Sequence, residues 1–247
     1  MIAGPRVLVV EDHARLRHGF QHAFADSCDF VTSYGALVNA DPPEGGWDYA
    51  FVDFNLGPGS RFSGLSVLRH LQLASPRTRT IVYTQMEEPG REMFAVAARL
   101  WFDAWGIVAK GDDSDEVLAR IKIGENPTPA LWIEAWKTGA RTLDPLFPDA
   151  TWTAYWQAAC EYHGQAAMMA DRLGLRYKRD LDRTYTARAK IVGNDFASQF
   201  QARRNPFDFD NRSNAVQIGA FAHLNAPFFL APDLPDIVAH VMPWRRG

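Results

Sequence analysis

Four short apolar runs punctuate the first half of the chain, and each is closed by a polar or turn-forming residue. They are Arg6 to Val10 ahead of Glu11 and Asp12, Tyr49 to Val52 ahead of Asp53, Thr80 to Tyr83 ahead of Thr84, and Ala104 to Ala109 ahead of Lys110. Runs of this length bounded by turn residues read as buried strands. Phe30-Val-Thr is a weaker run and predicts a second strand between the first and the third. Between the runs the apolar residues change to helical spacing, at Leu16, Phe20, Ala23 and Phe24, at Leu65, Leu68 and Leu71, at Met93, Val96, Ala97 and Leu100, and at Val117, Leu118 and Ile121. Strands alternating with helices predict an α/β fold, a doubly wound parallel five-stranded sheet with helices on both faces.

Gly124-Glu-Asn-Pro-Thr-Pro129 breaks this alternation and marks a boundary. Thr128 and Pro129 read as an N-cap and first helical position. Beyond them the buried-strand pattern does not return before the tail, so the second half is expected to be mainly α-helical. Asp149 is placed to cap a helix with Trp152, Tyr155, Trp156 and Ala159 on one face. The expected division is 1–123 for the α/β domain, 124–149 for a linker and connecting helix, and 150–247 for a helical domain.

Composition changes this picture little. A chain of 247 residues is long for one core and comfortable for two domains. Its formal charge of −3 argues against a generally basic nucleic-acid coat, so any such contact must come from a local patch. No apolar run reaches a membrane span, and the amino terminus has no secretory pattern, from which a cytoplasmic protein without a membrane partner is expected. Cys28 and Cys160 lie far apart in sequence and read as packed small side chains.

The candidate chemistry lies at the ends of the runs. Open α/β sheets bind ligands outside the carboxyl ends of their strands, and here four runs in order deliver an acid pair, an acid, a hydroxyl and an amine to that edge. This ordered set resembles the receiver domain of two-component response regulators, over roughly residues 5 to 123. The resemblance implies that Asp53 is the phosphoacceptor for a histidine kinase or phosphotransfer protein. It implies Mg2+ held by Asp12, Asp53 and the backbone carbonyl of Asn55, with Glu11 acting through water, and Thr84 and Lys110 holding phosphoryl oxygens. Such a protein is a signalling phosphoacceptor and not an enzyme. Phosphatases of the haloacid dehalogenase type also use a strand-end aspartate, but they need a second carboxylate two residues on, where this chain has Asn55. The chain also departs from the receiver pattern. The loops after Asp53 and after Thr84 are longer than usual, and Ile107 stands where the family carries a tyrosine or phenylalanine that turns inward on phosphorylation. Trp105 and Tyr83 are the candidates to replace it.

In the second half, Gly164-Gln-Ala-Ala-Met-Met-Ala-Asp-Arg-Leu-Gly-Leu175 has the spacing of the first helix and turn of a helix-turn-helix, with Gly174 taking the positive φ of the turn. The motif, near 164–192, is similar to the DNA-binding domain of LuxR and NarL type regulators, in a register one residue longer. That register buries Leu181, Tyr185, Ala189 and Val192 and leaves Arg179, Arg183, Thr186 and Lys190 as an outward stripe for duplex DNA. Asp180 and Asp182 interrupt the positive charge. Residues 194–247 have no place in the compact family domain, yet are rich in phenylalanine. They are expected to fold onto the second domain or to make a subunit contact such as a homodimer. The expected function is transcription regulation by a phosphorylated response regulator, and the alternative is an output domain that binds proteins and no DNA.

Overall fold

The computed structural model describes residues 4–24, 27–57, 60–85, 88–111, 114–208 and 212–245. The chain separates into two compact units, 1–133 and 134–247. The first holds a parallel sheet of β1 (Val7–Val10), β2 (Cys28–Val31), β3 (Tyr49–Val52), β4 (Arg79–Thr84) and β5 (Gly106–Ala109), in the order β2-β1-β3-β4-β5. The doubly wound parallel five-stranded sheet expected from the apolar runs is the one formed. β1 and β3 sit centrally and are buried at every position, as uninterrupted Val/Leu/Phe runs require. Edge strand β2 exposes Asp29 and buries Val31, which is why its apolar signal is weak.

The helices are α1 (Ala14–Phe24), α2 (Tyr34–Val38), α3 (Gly64–Ala74), α4 (Arg91–Phe102) and α5 (Ser114–Lys122). On one face of the sheet Phe20, Phe24, Leu118 and Ile121 pack with Val7, Val9, Phe51 and Val108. The short α2 was not expected. Ser33 caps it, accepting from the Ala36 amide at 3.1 Å, and Leu37 is its one buried residue. A single buried side chain leaves no periodicity to read.

Edge strand β5 is closed by the segment that follows α5. The Ile107 amide donates to Thr128 Oγ1 at 3.1 Å, and Asn126 Nδ2 donates to the Trp105 carbonyl at 2.6 Å. Thr128 Oγ1 is thus engaged by the sheet edge, just ahead of the helix that it is expected to cap. In the first turn of that helix the Trp132 and Ile133 amides bond to the Pro129 carbonyl. An exposed edge would otherwise offer unpaired amides and carbonyls to other chains.

The second unit is built from α6 (Ala130–Leu143, beginning just before it), α7 (Thr151–Glu161), α8 (Ala166–Arg172), α9 (Lys178–Leu181), α10 (Ala187–Phe200), α11 (Asn214–Leu224), α12 (Ala226–Phe229) and α13 (Leu234–Arg245). Asp149 accepts from the Thr151 amide at 2.8 Å at the start of α7, and Trp152, Tyr155, Trp156 and Ala159 are all buried, as expected. Trp156 is the centre of this core. Its ring stacks on Phe229 at 5.0 Å, meets Phe221 edge-on at 5.5 Å, and its indole N–H donates to the Leu146 carbonyl. The phenylalanines after residue 194 thus fold into their own unit, and Phe209 lies outside the described residues. Among the described residues no helix is long and apolar enough to cross a membrane.

Candidate phosphoacceptor site and candidate nucleic-acid surface

The strand order reverses between β1 and β3, which is where an open α/β sheet forms its crevice. Val10 pairs with Val52 in register, so the next residues of the two strands, Glu11 and Asp53, stand level with each other. The Asp53 amide bonds to the Val10 carbonyl and the Lys110 amide to the Thr84 carbonyl, which fixes the height of all four groups at one sheet edge. Asp53 is 3% exposed, and both its oxygens are engaged: Thr84 Oγ1 donates to Oδ1 at 2.8 Å, and Lys110 Nζ lies 2.9 Å from Oδ2. Lys110 also reaches Glu11 Oε2 at 2.7 Å, while Glu11 Oε1 accepts from the His13 amide at 3.0 Å.

Glu11, Asp12 and Asp53 each bring a carboxylate oxygen within 4.8 Å of the other two. Three carboxylates against one ammonium leave an excess of negative charge, and burial holds the Glu11 carboxyl above the usual carboxylate range. An oxygen-only donor set of this kind suits a hard divalent cation such as Mg2+ and offers nothing to a soft metal. Asp12 is half-buried. Gly57, at φ +94°, brings the β3–α3 loop so near that a Cβ there would lie 3.0 Å from Asp12 Oδ2. Gly64 opens α3 so close behind the site that a Cβ would lie 2.2 Å from the Asp53 carbonyl oxygen. Neither glycine stood out in the sequence, because close approach of a backbone has no periodic signal. Asn55 is exposed, two residues beyond Asp53. Residues 58, 59, 86 and 87 of the two long loops lie outside the described residues.

The candidate replacements for the missing aromatic separate clearly. Trp105 immediately precedes β5 and packs on Tyr49 at 5.5 Å, at the sheet's opposite end, about 16 Å from Lys110 by strand rise. Tyr83 lies beside the site, with Lys110 Nζ 5.8 Å from its ring centroid and Phe20 edge-on at 5.0 Å. Burial pushes the Cys28 and Cys160 thiols up to about 12, so neither serves as a nucleophile at neutral pH.

In the second unit, α8 buries Ala166, Met169 and Ala170, Gly174 adopts φ +64°, and the Leu175 amide bonds back to the Ala170 carbonyl. A helical stretch then runs from Lys178 to Phe200 through a π turn at Asp182–Thr186. Leu181, Tyr185, Ala189 and Val192 are buried. Arg179 and Arg183 are exposed, and Lys190 is half-buried with Nζ donating to Asn214 Oδ1 at 2.9 Å. Thr186 departs from expectation. It is 8% exposed and donates to Asp182 Oδ1 at 3.2 Å. The cause is the π turn, whose wider i→i+5 bonding turns the chain less per residue and carries Thr186 inward after Tyr185. Tyr177 was not singled out by the sequence. It stands at the turn, 46% exposed, with the Arg176 and Arg179 guanidinium carbons 5.3 and 4.7 Å from its ring centroid.

No family model and no curated protein matches the chain. Among solved structures it is similar to the isolated REC domain of RcsB from Salmonella enterica serovar Typhimurium in the presence of phosphomimetic BeF3−. The identity is 21%, over 51% of this chain and 94% of that one, with a TM-score of 0.41. It is similar to the response regulator DrrB of Thermotoga maritima, an OmpR/PhoB homologue, at 19% identity over 47% of this chain and 50% of that one, TM-score 0.39. It is also similar to the response regulator RcsB in its complex with DNA, at 16% identity over 87% of this chain and 97% of that one, TM-score 0.47.

Proposed function

We propose that the first unit is a phosphoacceptor receiver and that Asp53 takes a phosphoryl group from the phosphohistidine of a kinase or phosphotransfer partner. The observation that carries this reading is the convergence of Thr84, Lys110, Glu11 and Asp12 on the one strand-end carboxylate. In the transfer the P–N bond breaks, an Asp53 Oδ–P bond forms, and the imidazole leaves as the neutral base once its nitrogen takes a proton. Asp12, Asp53 and the Asn55 carbonyl would hold Mg2+, with Glu11 acting through water. The ion would offset the charge on donor and acceptor, which is the chief electrostatic obstacle to phosphoryl transfer. Lys110 and Thr84 already point at the two Asp53 oxygens and would turn to the phosphoryl oxygens. Asn55 in place of a second acid offers neither a general acid for a substrate leaving group nor a base to activate water against the acyl phosphate, which favours a signalling state over phosphatase turnover.

We infer that the second unit binds duplex DNA through a helix-turn-helix whose surface includes Arg179, Arg183 and Lys190, and that it regulates transcription in this way; the buried Ala166, Met169 and Ala170 and the turn at Gly174 support the reading. Thr186 is no part of this surface. The smaller stripe, with Lys190 tied to Asn214, favours keeping a second reading in which the output unit contacts a protein. Incubation with a small phosphodonor and magnesium, followed by mass spectrometry, tests the first unit. Label is expected on Asp53, and label that persists in Asp53→Asn overturns the assignment.

A further inference from the structure

The end of the sheet away from Asp53 carries a second concentration of chemistry that phosphoacceptance does not use. Arg79 begins β4, and its guanidinium lies over two rings, 5.2 Å from the centroid of Trp105 and 5.8 Å from that of Tyr49. One of its nitrogens, Nη1, donates to the Tyr49 hydroxyl at 3.2 Å. The rings and this single hydrogen bond hold the guanidinium in place and leave most of its five N–H donors unused. Arg77, two residues earlier, is exposed, and among the described residues neither arginine has a carboxylate partner.

Both arginines line an open cavity of about 460 Å³, bounded by Gly4, Pro5, Asp48 and Tyr49. They also line a neighbouring one of about 280 Å³, on the side of Phe102 and Trp105. Among the described residues, neither nearby acidic group pairs with Arg77 or Arg79. Asp48 Oδ2 accepts from the Arg6 amide at 2.8 Å, and Asp103 pairs with Arg99. The larger cavity thus presents two guanidinium groups and one carboxylate, a net positive lining on a protein whose total charge is negative.

We propose that this cavity binds a small phosphorylated molecule, with Arg77 and Arg79 taking the phosphoryl oxygens and Asp48 accepting from a hydroxyl or amino group of the same ligand. Paired guanidinium groups match the geometry of phosphate oxygens, and a guanidinium already held by packing loses little freedom on binding. The cavity volume is in the range of small-molecule sites. The proposal is independent of the phosphoacceptor reading, since it shares no residue with the Asp53 cluster.

Calorimetric titration of the full chain, with chelator present to exclude divalent ions, tests it. The probes are inorganic phosphate and adenosine monophosphate, and the variants are Arg77→Ala, Arg79→Lys and Asp53→Asn. Saturable binding of at least one probe is expected in the wild type and in Asp53→Asn, weakened about tenfold or more in Arg77→Ala, as loss of a charge-assisted hydrogen bond implies. Arg79→Lys keeps the charge but not the fork, and is expected to fall between them. Tighter binding of the nucleotide than of phosphate identifies an organic phosphate as the ligand, and equal binding identifies the phosphoryl group alone. Arg77 is exposed, so its variant keeps the fold, and circular dichroism checks this. Absence of saturable binding by both probes, binding unchanged in Arg77→Ala, or binding lost in Asp53→Asn overturns the proposal.

Discussion

Glu11 is where the purpose of the site and the stability of the fold pull in opposite directions. It is fully buried, and burial raises its carboxyl pKa more than Lys110 lowers it, with the Asp53 charge raising it further. A folded pKa above the unfolded one contributes stability that is fully present below the ordinary value of 4.5 and is lost as pH rises through the raised value. Ionisation of Glu11 in the fold therefore weighs against stability as pH rises, unless a cation compensates it. Glu11→Gln is expected to melt at a higher temperature than the wild type at pH 7 without divalent ions, and to gain less from added magnesium. Melting curves with and without magnesium check both, and a lower midpoint for the metal-free variant would show that the Lys110 pair outweighs the burial. At this scale Glu11, Asp53, Thr84 and Lys110 were legible because the ends of apolar runs mark strand ends. Thr186 was misplaced because a π turn leaves ordinary helical spacing on either side of it.

Among the elements, the crossing of α11 over the end of α7 is the most exacting. Gly164 sits at φ +76°, where a Cβ would stand 1.9 Å from the Ala215 carbonyl oxygen, and a Cβ on Gly219 would stand 2.4 Å from the His163 carbonyl carbon. Both obstacles are backbone, so they cannot rotate away. Gly219→Ala is expected to cost at least the roughly 1–3 kcal/mol of ordinary overpacking, read as a lower denaturant midpoint with an unchanged slope. A neutral substitution would mean that α11 does not lie against α7 in solution. The strands and the long helices of the first unit could be read from periodicity. The one-turn α2 and this glycine crossing could not, since one depends on a single buried leucine and the other on contact between segments distant in sequence.

Across the whole molecule, the basic surface around Tyr177 in the second unit is set against a net negative chain. If it meets DNA phosphates, affinity for duplex DNA falls steeply with salt because condensed counterions are released. Arg183→Ala is then expected to weaken binding and reduce the salt slope by about one. Binding isotherms at several salt concentrations measure this. An intact protein, phosphorylated or not, that selects no duplex from a random pool would transfer the surface to a protein partner.

The succession of strands and helices along the chain, and the groups that close the strands, follow from local information alone: apolar runs with fixed ends, separated by helical spacing. Local information also marked the aromatic face of α7, since its burial repeats along one helix. Three-dimensional packing settled the rest. It made Thr128 a clasp for β5, drew the phenylalanines after residue 194 around Trp156, set Tyr83 and not Trp105 beside Lys110, and brought Arg77 and Arg79 to a shared cavity. Each of these depends on which distant segments meet, and side-chain periodicity records only that a residue is buried, not what it is buried against.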